Sequence, residues 1–442
     1  MSKNIKGDNQ KSVEIDLSED NFQRFSKSIY SLRFLSILGI LFYHWGAWSF
    51  YGLYYNLIFN PNPFLKMIFD IGEAGVDFFA FLSSMFLAIQ LVDKDYNLKD
   101  WGKWGKKRIL RIFPLMWLSV IIILPIDFLM TYSVYPANSI FIQLGGIGGL
   151  VGDIIIGYDW FITFILFCYL MFPLIFLGIK QNFKLTTGIL IGAFIVLIIA
   201  YYPFALAMPE AINVYLSIHR FFSFFFGIVF GFWIGQNQKQ NLKYFNDKRI
   251  GIICFIAFIG AIAYYMLIKL SQPFYIGYMT HERLISFIFL TVTGTPFCVY
   301  LFGLFQKFSK PLSFPGKISY EIYLIHKTPW QLTAITLFIG FSLPILLYPL
   351  GLIVFISLCL LMAYLMSFFD KLIDKKKQLD NPILILAISF MAYTIIQYIV
   401  KTLFLDLGKF HILSVIIWGI ALTITITSYY VLKKVQSRRN LN

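Results

Sequence analysis

Apolar residues in this chain fall in long, nearly uninterrupted runs, and the segments between them are short, polar and mostly basic. Runs of about 18 or more residues recur from end to end, each long enough as a helix to cross a ~30 Å hydrocarbon core. The pattern predicts twelve spans, near residues 31–50, 74–92, 111–131, 160–178, 185–203, 217–236, 250–269, 284–305, 318–338, 343–368, 382–403 and 410–432. A helix is the form in which such a run crosses lipid, because its backbone N–H and C=O groups are bonded within the segment. The expected fold class is all-α, a polytopic transmembrane helical bundle. Between spans three and four, the glycines of "QLGGIGGLVGDIIIGYDW" predict a re-entrant or surface-packed segment rather than a further crossing.

Composition agrees with the pattern. Only 13% of the 442 residues are charged, where a soluble domain carries roughly a quarter, and the mean hydropathy of +0.74 points to lipid as the solvent. Residues 1–28 form a polar tail without the short apolar core and cleavage site of a signal peptide, so the first span is the expected insertion signal. Cys168, Cys254, Cys298 and Cys359 sit singly inside apolar runs, with neither redox nor metal spacing, and read as small hydrophobes.

The net charge of +15 is that of a polyanion binder, but its placement is topological. Lys3, Lys6, Lys11, Arg24 and Lys27 precede the first span. Lys94, Lys99, Lys103, Lys106, Lys107 and Arg108 lie between spans two and three, and Lys433, Lys434, Arg438 and Arg439 follow the last. Residues 132–159 and 204–216, on the opposite side, carry no lysine or arginine. The positive-inside rule then puts both termini in the cytoplasm. The partner implied is a lipid bilayer and not a nucleic acid.

Two ionisable residues interrupt the first span. In "SLRFLSILGILFYHW", eleven residues separate Arg33 from His44, which returns His44 to within about 20° of the same helix face, ~16 Å further along. Arg33 sits where its guanidinium reaches the cytosolic boundary, whereas His44 lies past the midplane, and an ionisable group at that depth marks function by default. A stripe that is cationic at one end and holds an imidazole deeper in suits transfer from a cytosolic anionic donor. An imidazole, with a reference pKa of about 6.5, exchanges protons near neutral pH and serves as a general base.

That stretch, "RFLSILGILFYH", resembles the arginine–histidine signature of the acyltransferase 3 family of membrane acyltransferases. Four further stretches resemble the family's landmarks in order: "GVDFFAFLSSMFL" (75–87), "KRILRIFPLMW" (107–117), "HRFFSFFFGIVFG" (219–231) and "ISYEIYLIH" (318–326). The resemblance covers about 30–340. It implies a ten-helix acyltransferase core at 29–369, followed by two extra C-terminal spans and a basic tail at 370–442. Ser84 stands where the family usually has glycine, a departure expected to alter local packing more than chemistry.

The resemblance implies an acyl-CoA-dependent O-acyltransferase, with acetyl-CoA as the expected donor, a cell-envelope polysaccharide or glycolipid as acceptor, and a plasma membrane location. His44 is the expected general base, and His326, inside the ninth span, a second catalytic residue. Asp77 either orients an imidazole or caps its own helix, and Glu73, one turn earlier, is expected at the interface. Arg33, Arg108 and Arg111 lie at the cytosolic face with the planar fork that suits phosphate, so they are the expected donor-binding residues. Arg220, Trp160, Tyr323 and Ser83 are the candidate acceptor contacts, although for Trp160 an interfacial belt position is the commoner role of such a tryptophan. No metal is expected: neither HExxH nor paired-carboxylate spacing occurs. Two other readings accommodate the layout, a twelve-span secondary transporter with proton-relaying histidines and a non-catalytic glycan-export partner of the same fold.

Overall fold

The computed structural model describes residues 5–47, 68–131, 137–148, 159–207, 212–244, 247–271, 281–304, 306–334 and 348–374. Helices fill these segments, and no strand occurs among them. The first, α1, runs Ile5–Ala47, so the polar tail continues without a break into the Arg33–His44 segment. A short 3-10 turn, Gly72–Ala74, leads into α2 (Gly75–Leu91), and α3 (Leu98–Thr131) begins inside the basic loop, well before its apolar part. There follow α4 (Ala137–Leu144), α5 (Asp159–Gln181), α6 (Phe183–Ala207), α7 (Ile212–Gln236), α8 (Gln238–Tyr244), α9 (Lys248–Ser271) and α10 (His281–Leu304). The last four are α11 (Gln306–Lys317), α12 (Ser319–Ile325), α13 (Lys327–Ala334) and α14 (Tyr348–Asp374).

Among the described residues six helical segments are long and apolar enough to cross a membrane: Phe25–Gly46, Ile68–Leu91, Trp160–Gln181, Lys248–Ile268, Ile285–Leu304 and Leu350–Ser367. The ninth predicted span, at 318–338, takes a different form. It is seen as two short helices, α12 and α13, that meet at His326. The spans expected at 382–403 and 410–432 lie outside the described residues.

What surrounds the bundle is legible in its surface. Leu185, Ile189, Val196 and Ile199 of α6 and Ile253, Ile256 and Leu267 of α9 all stand exposed. Water would penalise such contiguous apolar faces, and hydrocarbon would not. The protein is a multi-pass membrane protein. Its interior is dominated by aromatic packing, with Phe161, Phe164, Phe172, Phe176 and Phe224 fully buried.

Two close approaches set the frame of the site. Gly227, Gly231 and Gly235 recur every four residues on α7 and face α2. A Cβ built on Gly227 would stand 2.0 Å from Ser84 Oγ, and one on Gly231 would stand 2.2 Å from the Met85 carbonyl oxygen. Small residues at this spacing let two membrane helices meet backbone to backbone. Ser84, at the seam, turns its hydroxyl inward to donate to the Phe81 carbonyl at 3.0 Å. Gly316 does the same for α11 and α1, since its Cβ would fall 1.7 Å from the Tyr30 carbonyl oxygen. Ser31 Oγ donates to the Ser309 carbonyl at 2.8 Å and ties the two helices a second time.

The glycine-rich segment after α3 packs on its neighbours where it is described. Trp117 Nε1 donates to the Leu144 carbonyl at 2.9 Å, and Thr163 Oγ1 donates to the Gly146 carbonyl at 2.8 Å. Gly146 turns with φ of 70°, the left-handed region where glycine carries no Cβ penalty.

Candidate active site

Arg33, Ser83, Arg108 and Arg111, from three different helices, line one cavity of about 340 Å³. It opens among α1, α2, α3, α5 and the junction of α11 with α12, and Lys317 adds a fourth cation to its wall. Among the described residues no carboxylate lines it. The guanidinium of Arg33 lies 5.7 Å from the ring of Tyr30 and 5.8 Å from that of Phe86, while Arg108 lies 5.4 Å from the ring of Trp104. Arg33 Nη2 reaches Ser83 Oγ at 3.5 Å, the outer limit of a hydrogen bond. The Nε atoms of Arg33 and Arg108 are buried without a hydrogen-bond partner among the described residues. Burial lowers the pKa of Arg108 from its ordinary value, and Arg111 acts in the same direction, yet an arginine remains charged at neutral pH. Phe79, Phe86, Leu87, Ile112, Phe161 and Ile165 form the apolar remainder of the wall.

From Phe161 a line of rings leads to the histidines. Phe161 meets Tyr323 with centroids 4.4 Å apart, Tyr323 meets His326 at 5.4 Å, and His326 meets His44 at 4.7 Å. His326 is buried and its Nδ1 bonds to the Tyr323 carbonyl. A carbonyl only accepts, so Nδ1 carries the proton and Nε2 holds the lone pair. His44, eleven residues along α1 from Arg33 and itself half-buried, therefore joins a two-histidine cluster that reaches the cationic cavity through an aromatic wall.

The acidic residues at the entry to α2 are engaged elsewhere. Both oxygens of Asp77 go to α7, Oδ2 to Arg220 Nη1 at 2.7 Å and Oδ1 to the Ser223 hydroxyl at 2.7 Å. Neither sequence reading of Asp77, imidazole partner or helix cap, describes these bonds. Glu73, expected at the interface, is buried and accepts from Arg220 Nη2 at 2.6 Å. Arg220, expected to bound an open acceptor site, is 2% exposed. Its charge is spent on two carboxylates, a burial that only pairing makes tolerable. Trp160 covers it with its ring centroid 5.2 Å from the guanidinium, so this tryptophan packs over the ion pair. The side chains of His281 and Arg283 lie outside the described residues.

A family model described as an acyltransferase domain, Acyl_transf_3, matches residues 27–364. The chain belongs to the acyltransferase 3 family. No curated protein and no solved structure matches it. The matched region takes in Arg33, His44, the cationic cavity, the Arg220 cluster and His326, and the protein is a membrane acyltransferase. The landmarks quoted from the sequence thus turn out to be three spatial groups: "RFLSILGILFYH" and "ISYEIYLIH" join at the histidines, "KRILRIFPLMW" supplies Arg108, Arg111 and Ile112 to the cavity, and "GVDFFAFLSSMFL" binds "HRFFSFFFGIVFG" through Asp77, Arg220 and the glycine seam.

Some residues of this acyltransferase's site escaped the sequence reading. Lys317 looked like one more inside-facing lysine, and Ser223 and Tyr169 carried no pattern of their own. The available signal for Lys317 was its position directly before the "ISYEIYLIH" landmark, which fixes it to an element of the site.

Proposed function

We propose that this acyltransferase moves an acyl group, acetyl in the first instance, from acyl-CoA to a hydroxyl of a cell-envelope polysaccharide or glycolipid. The supporting observation is the convergence of Arg33, Arg108, Arg111 and Lys317 on a cavity that no carboxylate lines among the described residues, one aromatic step from the two-histidine cluster. The phosphates of the donor enter from the cytosol and lie against the cations, where guanidinium contacts to phosphate are short and strong. Arg33 and His44 are separated by ~16 Å along one helix, a gap bridged by the donor's extended arm along the apolar wall of Phe79, Phe161 and Ile165. His44 takes the proton of the acceptor hydroxyl as its oxygen attacks the thioester carbonyl. The C–S bond then breaks, and the proton passes to the departing thiolate. His326, with its lone pair on Nε2, faces the same step from α12.

The plasma membrane, with both termini in the cytoplasm, is the setting this reading assigns. The test is release of free CoA by the purified full-length chain, supplied with acetyl-CoA and a panel of envelope glycans and glycolipids. Acceptor-stimulated release that disappears in His44→Ala is the expected result. Absence of release with acetyl-, propionyl- and succinyl-CoA, from a chain shown to be folded, would overturn the reading.

A further inference from the structure

We infer that Phe161 limits the length of the acyl group this acyltransferase handles: its ring, backed by that of Tyr323, admits a short acyl group to the histidines and turns away a fatty one. The inference rests on the acyl-CoA reading above and goes beyond it by naming the class of acyl group and the side chain that selects it.

The cavity and the histidines are neighbours without being continuous. Phe161 lines the cavity, whereas among the described residues Tyr323, His326 and His44 do not. The ring of Tyr323 lies against that of Phe161, 4.4 Å away between centroids, and His326 lies 5.4 Å beyond Tyr323. A thioester whose anionic end rests among the cations therefore meets this pair of rings before it meets an imidazole.

Phe161 does not move without disturbing its neighbours. It is 1% exposed, and its ring contacts Phe79 of α2 at 5.9 Å and, on its own helix, Trp160 at 6.0 Å and Phe164 at 5.8 Å. Those neighbours are anchored in turn, Trp160 over Arg220 and Phe164 against Phe221 at 5.2 Å. In an interior packed this densely, displacing one ring displaces several. The surroundings of the histidines are equally full. Trp45 and Ile325, which flank His44 and His326 in sequence, are fully buried, and Trp45 stacks on Phe355 at 5.3 Å.

The sign of the chain-length preference follows. A methyl group asks little of this packing, but each further methylene has to displace apolar atoms already in contact, which overpacks the core. An open apolar site would show the opposite order, because it gains with every methylene buried. Preference for the short chain is therefore the signature of a closed aromatic wall.

Binding of two non-transferable thioethers, S-ethyl-CoA and S-hexyl-CoA, to the detergent-solubilised full-length chain tests this without turnover, with detergent alone as the blank. Wild type should bind the ethyl compound at least about tenfold more tightly than the hexyl one. Phe161→Ala should bring that ratio to about one or invert it. Loss of a buried phenyl ring can unfold a protein, so Phe161→Leu, which keeps most of the packing, is measured beside it and should lower the ratio at least about threefold. Phe176→Leu trims another buried ring of α5 that is not part of the cavity wall, and should leave the ratio unchanged. Circular dichroism and gel filtration establish that each variant folds. Failure of wild type to favour the ethyl compound, an unchanged ratio in a folded Phe161→Leu, or an equal loss of preference in Phe176→Leu would overturn the inference. The two failures are separable: CoA release without chain-length preference removes this inference alone. Phe161-dependent preference without CoA release to any acceptor removes the transfer reading and leaves the short-chain site standing.

Discussion

The imidazole rings of His44 and His326 lie 4.7 Å apart between centroids, although one belongs to the first span and the other to a helix junction near the end of the matched domain. The Tyr323 carbonyl sets the tautomer of His326, and the cavity that gathers the cations begins one ring beyond Tyr323. The imidazole and the clustered cations are thus kept apart along α1, one toward each end of the Arg33–His44 segment.

His44→Ala should lower kcat by about 10²–10⁴, the range associated with loss of a general base, and leave the donor's KM nearly unchanged. Steady-state kinetics of CoA release, alongside thermal unfolding to confirm an intact fold, would check this. A large rise in KM with kcat preserved would place His44 in binding instead.

Arg111→Gln should act in the opposite way. Removing one of the cavity's cations should raise the donor's KM about tenfold or more, as loss of a charge-assisted contact does, with a smaller effect on kcat. The variant's KM should also respond less to added salt than that of wild type. Donor titrations at low and high ionic strength measure both effects.

Arg220→Met should damage the fold before it damages the chemistry. It strands Glu73 and Asp77, both buried, without their shared cation. Breaking a buried pair by removing one partner costs about 3–5 kcal/mol. The expected readouts are a lowered unfolding temperature in detergent and poor membrane yield. Unchanged stability with selective loss of acceptor KM would instead return Arg220 to the acceptor site.

Gly231→Leu should separate α2 from α7, because the first carbon added already meets the Met85 carbonyl oxygen at 2.2 Å. Overpacking of this kind costs about 1–3 kcal/mol and more where backbone is the obstacle. Thermal unfolding and protease sensitivity of the solubilised chain would register it. Ser84→Gly, at the same seam, removes a hydroxymethyl group whose hydroxyl bonds within its own helix and should change stability by only about 1 kcal/mol.

The membrane character of this protein is legible in the chain alone, because lipid imposes a one-dimensional rule: a run of apolar residues long enough to cross. The Arg33–His44 stripe is legible for a similar reason, since helix geometry converts sequence spacing into a shared face. The match to the acyltransferase 3 family over 27–364 follows the same local stretches.

The pairing of charges is not written in that way. Asp77 and Glu73 sit four residues apart where the 3-10 turn runs into α2, and nothing in their neighbourhood names Arg220, which reaches them from α7. Sequence spacing could offer Asp77 only local or adjacent partners, an imidazole on α1 or its own helix end. The bundle's packing, set by the Gly227–Gly231–Gly235 seam, brought a guanidinium there instead. Lys317 is the converse case. In the sequence it is one of many inside-facing lysines, and its contact with the ring of Tyr30 exists only because Gly316 lets α11 touch α1. The sequence by itself determined the solvent, the helices and the residues able to carry proton and phosphate chemistry, because each depends on composition or on spacing within one element. Which of those residues share a cavity, and which neutralise one another, was decided by helix–helix contact, because burial makes an ionisable group's role depend on the neighbour that packs against it.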